Sequence, residues 1–264
     1  MKRPLHTILA LAALGLCLAC GGNPNGLPMA EVLKTDSIGC EINDSHGSVH
    51  VSADFAQVPI IAEWMSEQLN GTYEGDYLDG NAMMKFYANE LQQSLLGEQE
   101  EDIDDEYYEA HASELTSKIH FKKECETEKF VTYTATAYFY TGGAHGSAQS
   151  DGQTFRKQDG RRIGSDIFQN LYSDELQGMM KDGLRAYFEV ETDEQLQECF
   201  LNPDHIYLVP FPQQPPIFVA DGIRFVYQQY EIAAYAYGLP TFTLPYDRVR
   251  PLLNVTGLRL LPED

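Results

Sequence analysis

The chain has 264 residues and carries 40 Asp+Glu against 18 Lys+Arg, a formal charge of −22. A surface that anionic repels phosphate, which excludes nucleic acid and bare anionic lipid as partners and leaves basic proteins and cations open. The length suffices for one large or two modest domains with buried cores.

Lys2 and Arg3 precede a mostly apolar run from Thr7 to Ala19 that is too short to span a bilayer, so residues 1–19 read as a secretory signal. The run ends in Cys17-Leu18-Ala19-Cys20, followed by Gly21-Gly22-Asn23-Pro24. A small residue before a cysteine and then a polar tether resembles the lipobox of bacterial lipoproteins, although Cys17 stands where that pattern prefers leucine. The resemblance implies cleavage before Cys20, acylation of that cysteine, and a lipidated flexible tether over 20–34. Removing 1–19 takes away two basic residues and no acidic one, so the exported chain is still more acidic. No later apolar run approaches the ~20 residues of a transmembrane helix. The membrane is therefore expected to be reached through the lipid, in the cell envelope, with the chain facing the periplasm or the exterior. Export leaves Cys40, Cys125 and Cys199, an odd count that allows at most one intramolecular disulfide. Cys40 and Cys125 both fall in strand-like segments of the N-terminal half and are the expected pair. No CxxC or zinc spacing occurs, and no metal or cofactor is expected.

In chain order, 36–42 and 48–55 read as strands around the turn 43–47. Val58, Ile61, Ala62, Met65 and Leu69 share one helical face, and that helix holds the single tryptophan, Trp64. A loop over 71–80 leads to a second helix marked by Met83, Phe86, Tyr87, Leu91, Leu95 and Leu96. The acidic run 98–109 lacks the EF-hand spacing and its glycine, so it reads as a solvated, self-repelling segment rather than a calcium loop. From 115 the pattern turns to strand: 115–124, 128–140 and, after a glycine-rich turn, 147–157, closed by Asp159-Gly160. Ser165 is placed to cap a helix entry, and an amphipathic helix over 176–190 and another short helix over 192–200 follow. The Pro-rich run 210–216 connects to strands over 223–229 and 241–244 and to a terminal helix over 245–253 with Pro245 in its first turn. Strands and helices mix without strict alternation. The expected fold is α+β with antiparallel sheets and packed helices, a small α+β part over 35–112 and a larger one over 113–264.

Three segments stand out. Tyr138-Phe139-Tyr140-Thr141-Gly142-Gly143-Ala144-His145-Gly146 joins a strand to a turn with more glycine than a hairpin needs. Next comes 155–168, a strand, turn and helix entry, and then Tyr230-Glu231-Ile232-Ala233-Ala234-Tyr235-Ala236-Tyr237-Gly238. In this order they resemble the extracytoplasmic domain of unknown function shared by the anti-sigma factor RsiV and the peptidoglycan deacetylase PdaC, over 115–255. Ala234 stands where that family usually has proline. The RsiV region binds lysozyme, so the resemblance implies a binding role. Neither the anti-sigma segment nor the deacetylase domain of those proteins is recognisable here.

Among the histidines only His145 sits in a setting suited to function, and a base there would need a partner such as Glu231. His46 and His50, four apart beside a turn, lack a third metal ligand. No serine occupies a nucleophile elbow, and no Walker or dinucleotide motif occurs. The expected function is a non-enzymatic envelope lipoprotein that binds a protein, such as a basic lysozyme-like one, or cell-wall peptidoglycan. The candidate contact residues are Tyr140, Gly142, Gly143, His145, Gly146, Tyr230, Glu231 and Tyr235. The alternatives are a cell-wall hydrolase using His145 and Glu231, and a structural lipoprotein without a discrete ligand.

Overall fold

A computed structural model describes residues 28–30, 32–44, 47–97 and 115–262. The expected signal peptide, Cys20, most of the tether, His46 and the acidic run 98–109 lie outside the described residues. The fold is α+β, with helices packed on two sheets.

Strands β1 (Asp36–Asp44), β2 (Gly47–Phe55), β3 (Thr116–Glu126), β4 (Phe130–Tyr140), β5 (Ser147–Arg156) and β6 (Arg162–Ile163) form one six-stranded sheet in that order. Its pairs are antiparallel except β2 and β3, which run parallel with Val51 beside Ile119. A parallel neighbour demands a crossover, and helices α1 (Pro59–Gln68) and α2 (Gly80–Gly97) lie within it. The sheet therefore runs unbroken past the boundary expected between 112 and 113, because β2 takes its ladder partner from beyond it. Helix α1 opens on Pro59, whose missing N–H is no loss at a first turn. The Asp79 carboxylate accepts from Ala82 N at the start of α2.

One face of this sheet buries Val49, Val51, Phe121, Tyr133 and Phe155 against α1 and α2. Trp64 meets Phe121 and Phe155 edge-on, at centroid distances of 5.8 and 6.0 Å. The opposite face receives a three-stranded sheet of β7 (Ile217–Val219), β8 (Gly222–Val226) and β9 (Thr241–Pro245). Hydroxyls make that junction. Thr132 Oγ1 donates to Phe218 O at 2.7 Å, and Phe218 N donates to Thr154 Oγ1 at 2.9 Å. Gly152 permits the approach, since a Cβ there would fall 2.9 Å from the Ile217 side chain. Behind the second sheet, Phe218, Phe225, Tyr227 and Phe242 pack with Leu176, Met180 and Leu184 of α3 (Asp174–Phe188).

Some local expectations shift. Ser165 caps nothing: it lies inside a 3-10 turn, Ser165–Ile167, whose N-cap is the extended Gly164. Ser173 caps α3 instead, and Thr192 forms a capping box with Gln195 on α4 (Asp193–Cys199). The strand expected over 223–229 stops at Val226, because Gln228 and Gln229 leave the ladder for another task described below. The terminal helix breaks into α5 (Tyr246–Val249), a 3-10 turn and α6 (Val255–Leu260), the last capped by Asn254. Among the described residues no helix is long and apolar enough to cross a membrane.

Candidate functional site

The turn between β4 and β5 reaches φ +99° at Gly142 and +88° at Gly143, a region other residues avoid. A Cβ at either position would meet nothing within 4 Å. These two glycines serve conformation, not close packing. Tyr140 Oη braces the turn by donating to Gly143 O at 3.0 Å. Gly146 differs, since a Cβ there would lie 2.4 Å from the Tyr138 hydroxyl. His145 is exposed and its Nδ1 donates to Gly146 O at 3.0 Å.

The segment 228–238 meets this turn through rings. Tyr235 lies against His145 with centroids 3.9 Å apart and planes 20° from parallel, and Tyr230 continues the series at 6.1 Å and 29°. Tyr230 is 57% exposed and holds φ +64°, an uncommon backbone state for a bulky side chain. Tyr237, also exposed, meets Phe188 edge-on at 5.0 Å and accepts at its carbonyl from Tyr187 Oη. Leu201 N donates to Ile232 O, which brings the exposed Leu201 alongside. The result is an open aromatic and apolar face built from the turn, the 228–238 segment and the start of the 201–208 stretch.

Glu231 does not join His145. Its Oε1 accepts from Gln213 N and its Oε2 from Gln228 N, both at 2.7 Å, so it staples the Pro-rich run to its own loop. Burial raises its pKa against the lowering effect of those two bonds. The acid–base pair that a hydrolase would need from these two residues is not assembled, because the loops meet through stacked rings and the carboxylate is already engaged.

Several residues the sequence did not single out complete the region. The outer edge of β5 is covered by side-chain amides. Gln228 Oε1 accepts from Ser150 N at 3.1 Å and its Nε2 donates to Ser150 O at 2.7 Å, while Gln229 Oε1 accepts from Ala148 N at 3.0 Å. Beside them Asp151 is mostly buried, and its Oδ1 is sealed from solvent with no partner among the described residues. In the amide orientation that satisfies its neighbours, Gln68 donates to Asp151 Oδ2 and accepts from Trp64 Nε1, both at 3.2 Å. Burial first, and then the charge of Glu231, push Asp151 up to about 6. An aspartate in the phase of the buried Phe155 was the available sequence signal.

Cys40, Cys125 and Cys199 are free thiols. The expected Cys40–Cys125 bridge is not made. Cys40 sits opposite Val51 in the edge strand, whereas Cys125 lies past a bulge at the far end of β3 and packs against the other core. His50 is exposed on β2 between Glu41 and Lys118.

Fold and site together define an α+β protein with an aromatic and apolar face open to solvent. Residues 165–247 match the family model described as a protein of unknown function, DUF3298. That stretch includes Tyr230, Glu231 and Tyr235 but not the glycine turn, and it is narrower than the 115–255 span of the resemblance. A crystal structure of a DUF3298-family protein from Bacteroides fragilis is similar with a TM-score of 0.65 at 20% identity, over 86% of this chain and 96% of that one. A DUF3298-family protein from Pseudomonas aeruginosa is similar with a TM-score of 0.60 at 15% identity, over 88% and 98%. These likenesses establish the fold. Comparison with curated proteins finds no match.

Proposed function

We propose that the chain is a non-enzymatic envelope lipoprotein, anchored by a lipid on Cys20, that binds a basic protein of the lysozyme type through its aromatic face. The observation that carries this reading is the stack of the exposed His145 and Tyr230 on either side of the half-buried Tyr235, at the meeting of two loops. Aromatic rings with polar tips are enriched at protein interfaces and supply contact area with few rotatable bonds. The chain's net charge of −22 favours a cationic partner and would speed its capture. Engagement of both Glu231 oxygens by backbone amides favours binding over hydrolysis.

Flat rings also suit the C–H face of a sugar, which makes peptidoglycan the second ligand to try. Co-sedimentation with purified peptidoglycan and capture on immobilised lysozyme separate the two. The proposal expects retention on lysozyme that salt weakens and no sedimentation with the glycan. Retention by the glycan alone would replace the partner, and release of reducing sugar or peptide would replace the whole reading.

A further inference from the structure

The 228–238 loop that carries Tyr230 and Tyr235 is held on β5 by glutamine side chains, and their bonds lie next to a carboxylate with an unfilled oxygen. Gln228 grips the main chain of Ser150, Gln229 that of Ala148, and Glu231 sits within the loop close enough for its charge to act on Asp151. The groups around Asp151 come from each packed element. The loop presents Glu231, α1 presents Gln68 and Trp64, and Ala135 of β4 lies opposite. The cations carried by β6 and β8, Arg162 and Arg224, are paired with Glu67 and Glu124. Among the described residues the arginines nearest the site are thus engaged with other carboxylates, and a proton is the simplest group that would complete the site.

We propose that Asp151 is a protonation-controlled latch for the 228–238 loop: with Asp151 neutral the loop is clamped on β5, and with Asp151 ionised the clamp loosens. The proposal concerns regulation of the aromatic face and rests on that face being the contact surface, but the latch itself is readable without any partner.

Linkage sets the direction. Burial first and then the charge of Glu231 raise Asp151 to about 6 from an ordinary 3.8; the Glu231 charge belongs to the docked loop, so docking favours the proton and, reciprocally, ionisation disfavours docking. The whole raise corresponds to about a hundredfold in a proton-binding equilibrium, and because burial against α1 supplies part of it, the shift in loop docking is smaller than that. The stability associated with the protonated group is complete at acid pH and is lost as the pH rises through the folded value. Neutral pH thus loosens the loop, and mildly acidic pH clamps it.

Trp64, the only tryptophan, is a built-in reporter, because its indole N–H reaches Asp151 through the Gln68 amide. The test is an acid-to-neutral titration of Trp64 emission, with hydrogen exchange at the Ala148 and Ser150 amides corrected for the intrinsic rate. The wild-type protein is expected to show an emission transition centred near 6, with protection of both amides falling across it. Asp151→Asn should abolish the transition and keep the amides protected throughout. Gln228→Ala should move the midpoint towards that of an ordinary aspartate by releasing the loop while leaving the carboxylate in place. A wild-type transition that persists in Asp151→Asn, or protection that does not follow emission, would overturn the latch. So would a Gln228→Ala midpoint equal to wild type, which covers the case in which Asp151→Asn fails to fold. Partner binding enters none of these readouts, so their failure would leave the binding proposal standing, and the reverse also holds.

Discussion

His145 lies flat on Tyr235, with ring centroids 3.9 Å apart, and this contact joins the glycine turn to the 228–238 segment. It turns two loops that are about ninety positions apart in sequence into one surface. Stacked aromatic pairs add about 0.5–1.5 kcal/mol beyond the area they bury. Tyr235→Ala should therefore lower unfolding stability by about 1 kcal/mol, read from urea melts, and loosen both loops. A variant as stable as wild type, with unchanged exchange in 141–146, would show that the contact is incidental.

Asp151→Asn should stabilise the protein at neutral pH. The folded carboxyl is raised to about 6, so the folded state binds more protons than the unfolded chain between the ordinary aspartate value and that point. Over that interval stability falls as pH rises, by on the order of 2–3 kcal/mol for a raise of about two units. Urea unfolding of wild type should weaken from acid to neutral pH across this window, and Asp151→Asn should remove that component. A neutral substitution that destabilises the protein equally at both ends would contradict the sign.

Glu126 carries the opposite sign. Lys157 is 3% exposed and places Nζ 2.6 Å from Glu126 Oε1, while Lys123 and the Leu33 amide bond to the same carboxylate. Burial opposes the Glu126 charge, but the hydrogen bonds from Lys157 and Lys123 prevail and hold its pKa below the ordinary value. Its contribution is complete above the ordinary glutamate value and is lost as pH falls through the lowered one. Glu126→Ala should cost about 3 kcal/mol, because it strips a carboxylate partner from a buried lysine. A loss below ~1 kcal/mol in a urea melt would mean that solvent reaches Lys157.

The thiols give a covalent check. Labelling of unfolded, non-reduced protein should modify Cys40, Cys125 and Cys199 alike, since all three are free. Recovery of a peptide joining Cys40 to Cys125 would contradict the placement of these residues on different strands and beside different cores.

Much of this architecture is written locally. The β4 and β5 strands, the turn between them and the α1 and α2 helices follow from alternation, glycine and periodic apolar residues, each visible within a dozen positions. What escaped is non-local. The parallel pairing of β2 with β3 joins residues more than sixty positions apart, and nothing in either strand announces its neighbour. Strand β7 is buried at all three of its residues, so no alternation marks it. At the site, the glycine turn and the Tyr230–Gly238 stretch were both legible as unusual, and they do adjoin. Their chemistry was not, because Glu231 is claimed by the main chain of Gln213 and Gln228 and the stacking partner of His145 is Tyr235. Gln228 and Gln229 read as the tail of a strand. Their role as a side-chain substitute for a missing ladder partner depends on where the β5 edge ends up.

The most direct test of the binding account is the affinity of wild type and of Tyr230→Ala for a basic lysozyme-type protein, measured by interferometry at low and high salt. Tyr230 presents an exposed ring from a backbone state uncommon for its type, and its removal leaves the core untouched. The account predicts salt-sensitive binding by wild type and at least a tenfold loss in the variant, about 1.4 kcal/mol, with unfolding stability lowered by no more than the ~1 kcal/mol of one ring contact. Equal binding by the two proteins, or none by wild type at low salt, would contradict it.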